Sequence, residues 1–386
     1  MRFADRMDVF TSNIFMKLNE IKNRRIKDGL PVFNLSVGTP DFPPDAHVVE
    51  ALKNACDNPD NFKYSLADLP ELSDAVRAWY SRRYGVELAR EQVMAVYGSQ
   101  EGFAHVAFPI CNPGDIVIVT DPGYPVFSFG PMLAGAELYK VPLLAENGFL
   151  IDFDSIDEDV ADRAKMIVVS YPNNPVTAVA DAAFYERLAA FAKKHDLIVV
   201  HDNAYSELVY DGEPGGSFLS APGAMDVGIE FNSLSKSYNM TGCRISFAVG
   251  NREIISKFRD LRSQIDYGIF LPIQYAAIAA LNGPQDILDT NRAGYRLRRD
   301  ALCGGLRAAG WSVEDSKATM FTWFRIPDGF ESSERFALEL VEKTGVICVP
   351  GTSFGELGEG FVRMALVLPP EKMTELSRVI GNSGLL

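Results

Sequence analysis

Short apolar runs alternate with amphipathic stretches through the middle of this chain. Several runs are apolar without interruption, which is typical of strands buried on both faces of a parallel sheet. Stretches with helical spacing, such as 184–194, separate them. The pattern predicts an α/β fold around a mostly parallel, seven-stranded sheet. The predicted strands are 93–97, 116–120, 137–141, 166–170, 197–201, 228–232 and 245–249.

The first part of the chain mixes helical and extended patterns. Residues 7–27 are predicted as an amphipathic helix, and 32–35 as a short strand that enters a loop rich in Pro and Gly. A second helix is predicted over 45–56, with Asp45 as its N-cap. Residues 1–20 mix charged with apolar side chains, so no signal peptide is expected.

After Trp311 the pattern changes to shorter strands and helices. Strands are predicted at 320–326, 346–349 and 361–368, and helices at 333–343 and 372–380. We therefore expect three segments. They are an N-terminal arm with part of a small domain (1–44), a large domain (45–285) and a small α+β domain (286–386).

The composition predicts an ordinary water-soluble protein. Of the 386 residues, 47% are hydrophobic and 23% are charged, which allows a large core. The net charge of −14 argues against nucleic-acid or anionic-membrane partners, and no apolar run is long enough to span a membrane. The five cysteines form no CxxC pair, so reduced thiols and a cytoplasmic location are expected. The four histidines lack metal-ligand spacing, so no metal site is expected.

One lysine stands among small hydroxyl residues between two predicted strands. Lys236 lies in the segment 233–244, SLSKSYNMTGCR, which ends in Arg244. Most lysines are solvated surface charges, but a charge between buried strands is costly. A buried lysine loses its proton readily and can form a Schiff base, and an arginine fork can hold a phosphate. The two residues together suggest a site for pyridoxal 5'-phosphate (PLP).

Polar residues also stand where two earlier strands are predicted to end. Ser99 and Gln100 follow the strand 93–97 and open a helix, whose N-terminal N–H groups can bind an anion. The alternative is that Ser99 is a simple N-cap. Asn174 lies in a turn flanked by prolines, and turn chemistry alone could explain it.

Two further candidates lie on later strands. Asp202 and Tyr205 follow the most apolar strand, where a carboxylate needs a cationic or donor partner such as a protonated pyridine nitrogen. The alternative for Asp202 is a helix N-cap. Arg363 lies within the strand 361–368, where it either faces solvent or clamps an amino-acid carboxylate.

Taken in chain order, these candidate residues and their motifs resemble those of a fold-type I, PLP-dependent aminotransferase of class I/II. The resemblance extends over essentially the whole chain. The segment 233–244 is the most specific motif. Within that family the chain most resembles the LL-diaminopimelate and aspartate aminotransferase branch. The resemblance implies PLP-dependent transferase fold type I, with a large seven-stranded domain plus a smaller α+β domain. It also implies a homodimer with shared active sites.

The resemblance assigns cofactor chemistry to five residues. It implies that Lys236 forms an aldimine with PLP and later moves the proton between the substrate Cα and the cofactor. Asp202 would pair with the pyridine nitrogen, and Tyr205 and Asn174 would hydrogen-bond the 3'-oxygen. Tyr124 would stack on the ring.

The resemblance also implies how the phosphate and the substrate are held. Arg363 would bind the substrate α-carboxylate, with Gly38 and Asn174 close to the substrate. The residues expected at the phosphate are Ser99, Gln100, Ser233, Arg244 and, across the dimer interface, Tyr64.

The implied function is ping-pong transamination between an amino acid and a 2-oxo acid, with a substrate like LL-diaminopimelate or aspartate. The alternative is a PLP-dependent C–S β-lyase of the cystathionine type, which would use the same residues. A PLP-sensing regulator is disfavoured, because the catalytic pattern is already under way by Gly38 and leaves no room for a DNA-binding module.

Two segments differ from the family pattern, and a third matches the motif of another enzyme class. The family's Asn-Pro-Thr-Gly turn is Asn-Pro-Val-Thr at 174–177, so an altered loop backbone is expected. Residues 264–270, which line the partner's active site in the diaminopimelate branch, contain no arginine for a distal carboxylate. Residues 351–355 match the G-x-S-x-G pattern of hydrolases, but every histidine precedes Ser353, so this segment is interpreted as a plain loop.

Overall fold

A seven-stranded sheet forms the centre of the protein, in a computed structural model that describes residues 1–10 and 13–386. All seven predicted strands are confirmed, with ends that differ by two residues or fewer. The strands of the described chain are β1 Phe33–Asn34, β2 Val93–Val96, β3 Ile116–Asp121, β4 Glu137–Pro142, β5 Ala164–Ser170, β6 Ile198–Asp202, β7 Gly228–Ser233, β8 Ser246–Gly250, β9 Phe321–Arg325, β10 Val346–Ile347, β11 Val349–Pro350 and β12 Phe361–Ala365.

The central sheet has the order β2-β8-β7-β6-β5-β3-β4. Strand β8 is antiparallel to both of its neighbours, and the remaining pairs are parallel. The prediction of a mostly parallel sheet in an α/β fold is thus confirmed. Because β3, β5, β6 and β7 point the same way, their last residues meet at one edge. These residues are Asp121, Ser170, Asp202 and Ser233.

Helices cover the sheet and form much of the rest of the chain. They are α1 Asn13–Lys27, α2 Ala46–Cys56, α3 Pro70–Tyr84, α4 Ser99–Val106, α5 Val126–Leu133, α6 Glu158–Arg163, α7 Ala182–Lys194, α8 Ala224–Val227, α9 Leu234–Ser237, α10 Arg252–Arg262, α11 Leu271–Asn282, α12 Asp286–Ala308, α13 Ser333–Thr344 and α14 Pro370–Gly381. None of the helices in the described residues combines the length and apolar character needed to cross a membrane.

Helix α7 illustrates how the sequence sets an element. The Asp181 carboxylate accepts a hydrogen bond of 2.8 Å from the Phe184 N–H and so caps the first turn. Leu188, one turn further on, is fully buried in the core. Lys193 and Lys194 lie in the last turn, where positive charge is favourable.

Apolar side chains fill both faces of the central sheet, which explains the uninterrupted apolar runs. On β5, Ile167 and Val169 pack into the core on one face, while Met166 and Val168 pack into the core on the other. Adjacent side chains of a strand point to opposite faces, so a strand buried on both sides needs apolar residues at every position.

A smaller three-stranded sheet, with the order β11-β12-β9, packs against its own apolar core. Strand β1 lies outside it and pairs in parallel with β10, Phe33 opposite Val346. The N-terminal segment is therefore bound to the last part of the chain. The division into 1–44, 45–285 and 286–386 stays a prediction.

Three local predictions need correction. In the described part of 7–27, α1 begins only at Asn13, after a 3-10 turn at Asp5–Phe10, and residues 11 and 12 lie outside the described chain. Asp45 stands at the N-cap position of α2, but its carboxylate contacts the His47 ring at 3.0 Å and makes no capping bond. The strand predicted at 346–349 is two short strands in different sheets, because β10 pairs with β1 and β11 with β12.

A fully buried carboxylate on β7 lies one strand away from Asp202. Glu230 accepts hydrogen bonds from the Tyr80 hydroxyl (2.9 Å) and the Asn203 amide (3.0 Å), and its Oε2 lies 2.9 Å from His201 Nδ1. The Ser217 hydroxyl and the Phe218 N–H complete its partners. A buried charge with this many donors is stable only while all of them stay in place.

We expect Glu230→Ala to destabilise the protein by about 3 kcal/mol or more, because it leaves several buried donors without an acceptor. A lower midpoint of urea unfolding would show this. Replacing the exposed Glu213 by alanine is the matched control and should change stability by less than about 0.5 kcal/mol. Equal midpoints for both variants would contradict the prediction.

Candidate active site

A cavity of about 370 Å³ opens at the edge where the parallel strands end. Its floor includes Asp202 and Ser233, the last residues of β6 and β7. The loop after β1, the start of α4 and the β12 arginine close its sides. Ligand sites in sheets of this kind lie at the carboxyl ends of the strands.

All but one of the predicted site residues line this single cavity. They are Gly38, Ser99, Gln100, Tyr124, Asn174, Asp202, Tyr205, Ser233, Lys236, Arg244 and Arg363. Tyr64 is the exception. Its side chain is largely exposed, and its ring centroid lies 5.0 Å from that of Tyr267.

Lys236 reaches the cavity from α9, a single helical turn between β7 and β8. Ser233 caps this turn, because its hydroxyl accepts a hydrogen bond from the Ser235 N–H at 3.2 Å. The Lys236 Nζ donates to the Gly38 carbonyl at 2.6 Å. Burial, aided by the charges of Arg363 and Arg244, lowers the pKa of Lys236 to about 8. The amine is therefore easier to deprotonate than that of an ordinary lysine.

Asp202 is buried and incompletely paired. Its Oδ2 lies 3.4 Å from the Ser170 hydroxyl, and its Oδ1 has no hydrogen-bond partner among the described residues. Burial raises the pKa of Asp202 to about 6. A cationic group in the cavity would satisfy Oδ1 and favour the ionised carboxylate.

Tyr205 lies three residues beyond Asp202 and is also buried. Its ring packs edge-on against Phe321, with 6.0 Å between the centroids. Burial, and secondly the charge of Asp202, raises the pKa of the Tyr205 phenol. The hydroxyl is thus held protonated and can donate a hydrogen bond into the cavity.

Donors for an anion gather at the start of α4. Gly98, at φ +84°, precedes the helix, and Ser99 and Gln100 form its first turn. The Arg244 guanidinium lies against this turn, and a Cβ on Gly98 would come within 2.3 Å of its Nη2. Helix N–H groups beside a guanidinium make a site suited to a phosphate. The Tyr124 hydroxyl donates to Gln100 Oε1 at 3.1 Å from the opposite wall.

Arg363 is buried, which excludes the alternative that it faces solvent. Its Nη1 donates to Asn174 Oδ1 at 2.9 Å and its Nη2 to the Ser36 carbonyl at 3.0 Å, while Nε has no partner among the described residues. The rings of Phe321 and Phe354 lie 4.0 and 4.6 Å from its Cζ. Burial lowers the pKa of Arg363 to about 10. The guanidinium keeps its charge at neutral pH and has no anionic partner among the described residues.

The turn at 174–177 has threonine where the family's turn has glycine. Thr177 adopts φ +62°, the left-handed conformation that glycine takes most easily. Its N–H donates to the Asn173 carbonyl at 3.0 Å, and Val176 N–H donates to Asn173 Oδ1 at 3.1 Å. Asn174 lines the cavity, and the expectation of an altered loop backbone stays a prediction.

Sequence reasoning missed several lining residues. Ser353 and Phe354 belong to the segment interpreted as a plain loop, yet both line the cavity. Phe321 begins β9 opposite Ala365 of β12, and its ring centroid lies 4.0 Å from Arg363 Cζ. Only the pairing of these two strands, which the sequence does not reveal, brings it to the cavity. The remaining unpredicted residues in the lining are Phe15, Ser36, Val37, Gly98, Pro125, Ala204, Ser235, Thr241 and Val349.

The fold and the cavity together define a class of enzyme. Residues 31–380 match the sequence profile described as aminotransferase class I and II. The chain belongs to this family and is an aminotransferase.

Named relatives give a more detailed comparison. The chain is 46% identical to the LL-diaminopimelate aminotransferase of Moorella thermoacetica, over 96% of this chain and 95% of that protein. The substrate-bound structure of BacF from Bacillus subtilis matches with a TM-score of 0.95 and 38% identity, over 100% of this chain and 98% of that one. A single mutant of the Thermus thermophilus aspartate aminotransferase matches with a TM-score of 0.93 and 28% identity, over 99% and 100% of the two chains. These relatives do not favour the C–S lyase alternative.

The cavity residues fit PLP, the cofactor that this family implies. The aldehyde of PLP requires an amine, and Lys236 supplies one with a lowered pKa. The pyridine nitrogen requires an anionic partner, and Asp202 Oδ1 is free among the described residues. The phosphate requires donors, and the start of α4 with Arg244 supplies them.

The lowered pKa of Lys236 leads to a prediction for the cofactor-free protein. Only the neutral amine of a lysine reacts with trinitrobenzenesulfonate. The labelling of Lys236 should therefore reach half of its maximal rate near pH 8. Peptide mass spectrometry would follow the site, with Lys236→Ala as the blank and exposed lysines as the reference profile. A half-maximum near 10.5, the ordinary value, would contradict the prediction.

Proposed function

We propose that this enzyme uses PLP to transfer an amino group between an amino acid and a 2-oxo acid. The observation that carries the proposal is the meeting of three incompletely paired groups in one cavity. These are the Lys236 amine, Asp202 Oδ1, which has no hydrogen-bond partner within the described part of the chain, and the Arg363 guanidinium. The amine matches the aldehyde of PLP, and the carboxylate matches its pyridine nitrogen. The guanidinium matches the carboxylate of the substrate.

Each end of the cofactor has candidate partners in the cavity. Asp202 would hold the pyridine nitrogen, and Tyr205 with Asn174 would hold the 3'-oxygen. Tyr124 would lie against the ring. The residues that would hold the phosphate are Ser99, Gln100, Ser233 and Arg244, with Tyr64 of the partner subunit.

PLP, when bound, supplies an electron sink for the electron pair left at the substrate Cα after its proton has gone. Lys236 Nζ would accept that proton and pass it on to the cofactor, and its lowered pKa suits a base that works near neutral pH. The Gly38 carbonyl, 2.6 Å from Nζ, orients the amine. Arg363 fixes the substrate by its α-carboxylate, and the rings of Phe321 and Phe354 keep water from this contact.

For the amino donor, we propose a compound of the LL-diaminopimelate type with 2-oxoglutarate as a suitable acceptor. The support is the relatives that carry this name at 42–46% identity over nearly the whole chain. Residues 264–270 contain no arginine, so a group that binds the distal carboxylate of donor or acceptor would lie outside this segment.

We also propose that the enzyme acts as a homodimer. Phe62, Tyr64, Leu66 and Tyr267 are exposed apolar or aromatic residues, and two ring pairs connect this region, Phe62 with Phe270 and Tyr64 with Tyr267. An exposed cluster of this kind is typical of an interaction surface. A second copy covering it would account for Tyr64, the one predicted site residue outside the cavity.

A cytoplasmic location completes the proposal. The five cysteines are free in the structure, and three of them are buried as ordinary apolar side chains. Free cysteines are typical of proteins kept in a reducing compartment.

Replacing Lys236 by alanine should lower turnover by about 10³-fold or more while leaving the protein folded, because the base that moves the Cα proton is lost. Circular dichroism would report the fold, and a coupled 2-oxo-acid assay the activity. Lys257→Ala, an exposed lysine on α10, is the matched control and should turn over normally. Turnover by Lys236→Ala close to that of the unaltered enzyme would refute the assignment.

The donor proposal is tested by the visible absorption of bound PLP. LL-diaminopimelate should bleach the band and 2-oxoglutarate should restore it, with kcat/KM for aspartate at least tenfold lower, or about 1.4 kcal/mol in transition-state binding. Pyruvate release from cystathionine with no return of the band by 2-oxoglutarate would instead support the lyase. Faster turnover of aspartate would overturn the donor proposal alone.

A further inference from the structure

A buried carboxylate joins the loop after β3 to the loop after β11. Asp121 is the last residue of β3 and is 4% exposed. Its Oδ2 accepts a hydrogen bond from the Glu356 N–H at 3.2 Å, and its Oδ1 accepts one from the Leu357 N–H at 3.1 Å. Both donors open the 3-10 turn Glu356–Gly358, where backbone N–H groups lack partners of their own. A carboxylate is the strongest acceptor that a side chain can offer them.

Two further contacts show how closely the loops approach each other. The Gly123 N–H donates to the Phe354 carbonyl at 2.8 Å. Gly355 adopts φ +137°, and a Cβ there would lie 2.1 Å from Asp121 Oδ1. Only glycine suits this position, because it needs both the unusual backbone angle and the space.

The loop after β3 and the loop after β11 each contribute a residue to the lining of the active site. Tyr124 follows Gly123 and lines the cavity on the cofactor side. On the other loop, Phe354 lies against Arg363, with its ring centroid 4.6 Å from the guanidinium carbon. Asp121 does not itself line the cavity. It connects the loop of Tyr124, on the cofactor side, with the loop of Phe354, which packs on Arg363.

A nearby lysine does not explain the role of Asp121. Lys140 Nζ lies 3.4 Å from Asp121 Oδ2, but its side chain is half exposed on β4. An ion pair with an exposed partner contributes little. The buried side of the carboxylate faces the backbone of the 356–358 turn, so the hydrogen bonds to that turn are its main interaction.

We propose that Asp121 is a positioning residue for the substrate carboxylate. It holds the loop 351–358 against the cofactor side of the cavity, and through Phe354 it fixes Arg363 at the distance a bound substrate requires. This inference rests on the proposed function, because it takes Arg363 to be the carboxylate-binding group. Amino donor and 2-oxo acid both carry that carboxylate, so Asp121 should affect the binding of both.

The test is a steady-state comparison of Asp121→Ala with the unaltered holoenzyme. We expect KM to rise about tenfold for both the donor and the 2-oxo acid, with kcat changed by less than about threefold. The absorption spectrum of bound PLP and its dependence on pH should stay unchanged, because Lys236 and Asp202 are untouched. A general structural defect would instead alter the spectrum or PLP retention.

Two other variants separate the explanations. Lys140→Met keeps the contacts to the loop and should leave both KM values within about twofold, since only an exposed ion pair is lost. Gly355→Ala disturbs the same contact from the other loop and should raise KM in the same way, with an effect not additive to that of Asp121→Ala. Gly355→Ala also keeps the proposal testable if Asp121→Ala does not fold.

The outcomes are distinct. Unchanged KM values in Asp121→Ala and Gly355→Ala, or a loss confined to kcat, would overturn the role of Asp121. A KM rise in Lys140→Met equal to that in Asp121→Ala would assign the effect to the ion pair and also overturn it. Absence of transamination by the unaltered holoenzyme would refute the proposed function itself.

Discussion

The stability and the chemistry of this protein both depend on the desolvation of charged groups in one cavity. Lys236, Asp202 and Arg363 all lose water in the same cavity. Burial lowers the pKa of Lys236 and Arg363 and raises that of Asp202, which favours the neutral form of each group. Such a cluster is unfavourable for folding, because burial of an incompletely paired charge costs free energy. The same incomplete pairing suits the cavity to a cofactor with an aldehyde and a cationic ring nitrogen, and to a substrate that carries a carboxylate. Shifted titration in a cleft is a common mark of a functional site.

The surrounding scaffold keeps these groups from collapsing onto one another. The central sheet has apolar cores on both faces, so the ends of β6 and β7 are fixed in position. Arg363 lies on a different sheet with its own core, and aromatic rings hold it on two sides. The amine and the guanidinium are thus held by separate parts of the structure. Between them lies the space that a cofactor and a substrate need.

The local features of the sequence predicted most of this arrangement. Continuous apolar runs predicted the strands, because burial on both faces leaves no polar position. Polar residues just beyond those runs, together with the family resemblance, predicted the cavity residues. Contacts between distant segments could not be read in this way. The stretch 346–349 reads as one strand, but β10 and β11 find different partners. Phe321 and Phe354 carry no local signal, since their role depends on the place of Arg363. At Thr177 the surroundings override the local preference. Its backbone takes a left-handed conformation that its branched side chain disfavours, next to the hydrogen bond between Val176 and Asn173.

The pairing of β1 with β10 affects the order in which the enzyme can be assembled during synthesis. Gly38, whose carbonyl accepts a hydrogen bond from the amine of Lys236, follows strand β1, which pairs with β10 at residues 346–347. The ribosome must therefore release almost the entire polypeptide before this strand can dock. Until then the central sheet can form, but the lysine lacks the carbonyl that orients it. The contact between the Gly38 carbonyl and the Lys236 amine therefore forms only late in synthesis, after residues 346–347 have left the ribosome.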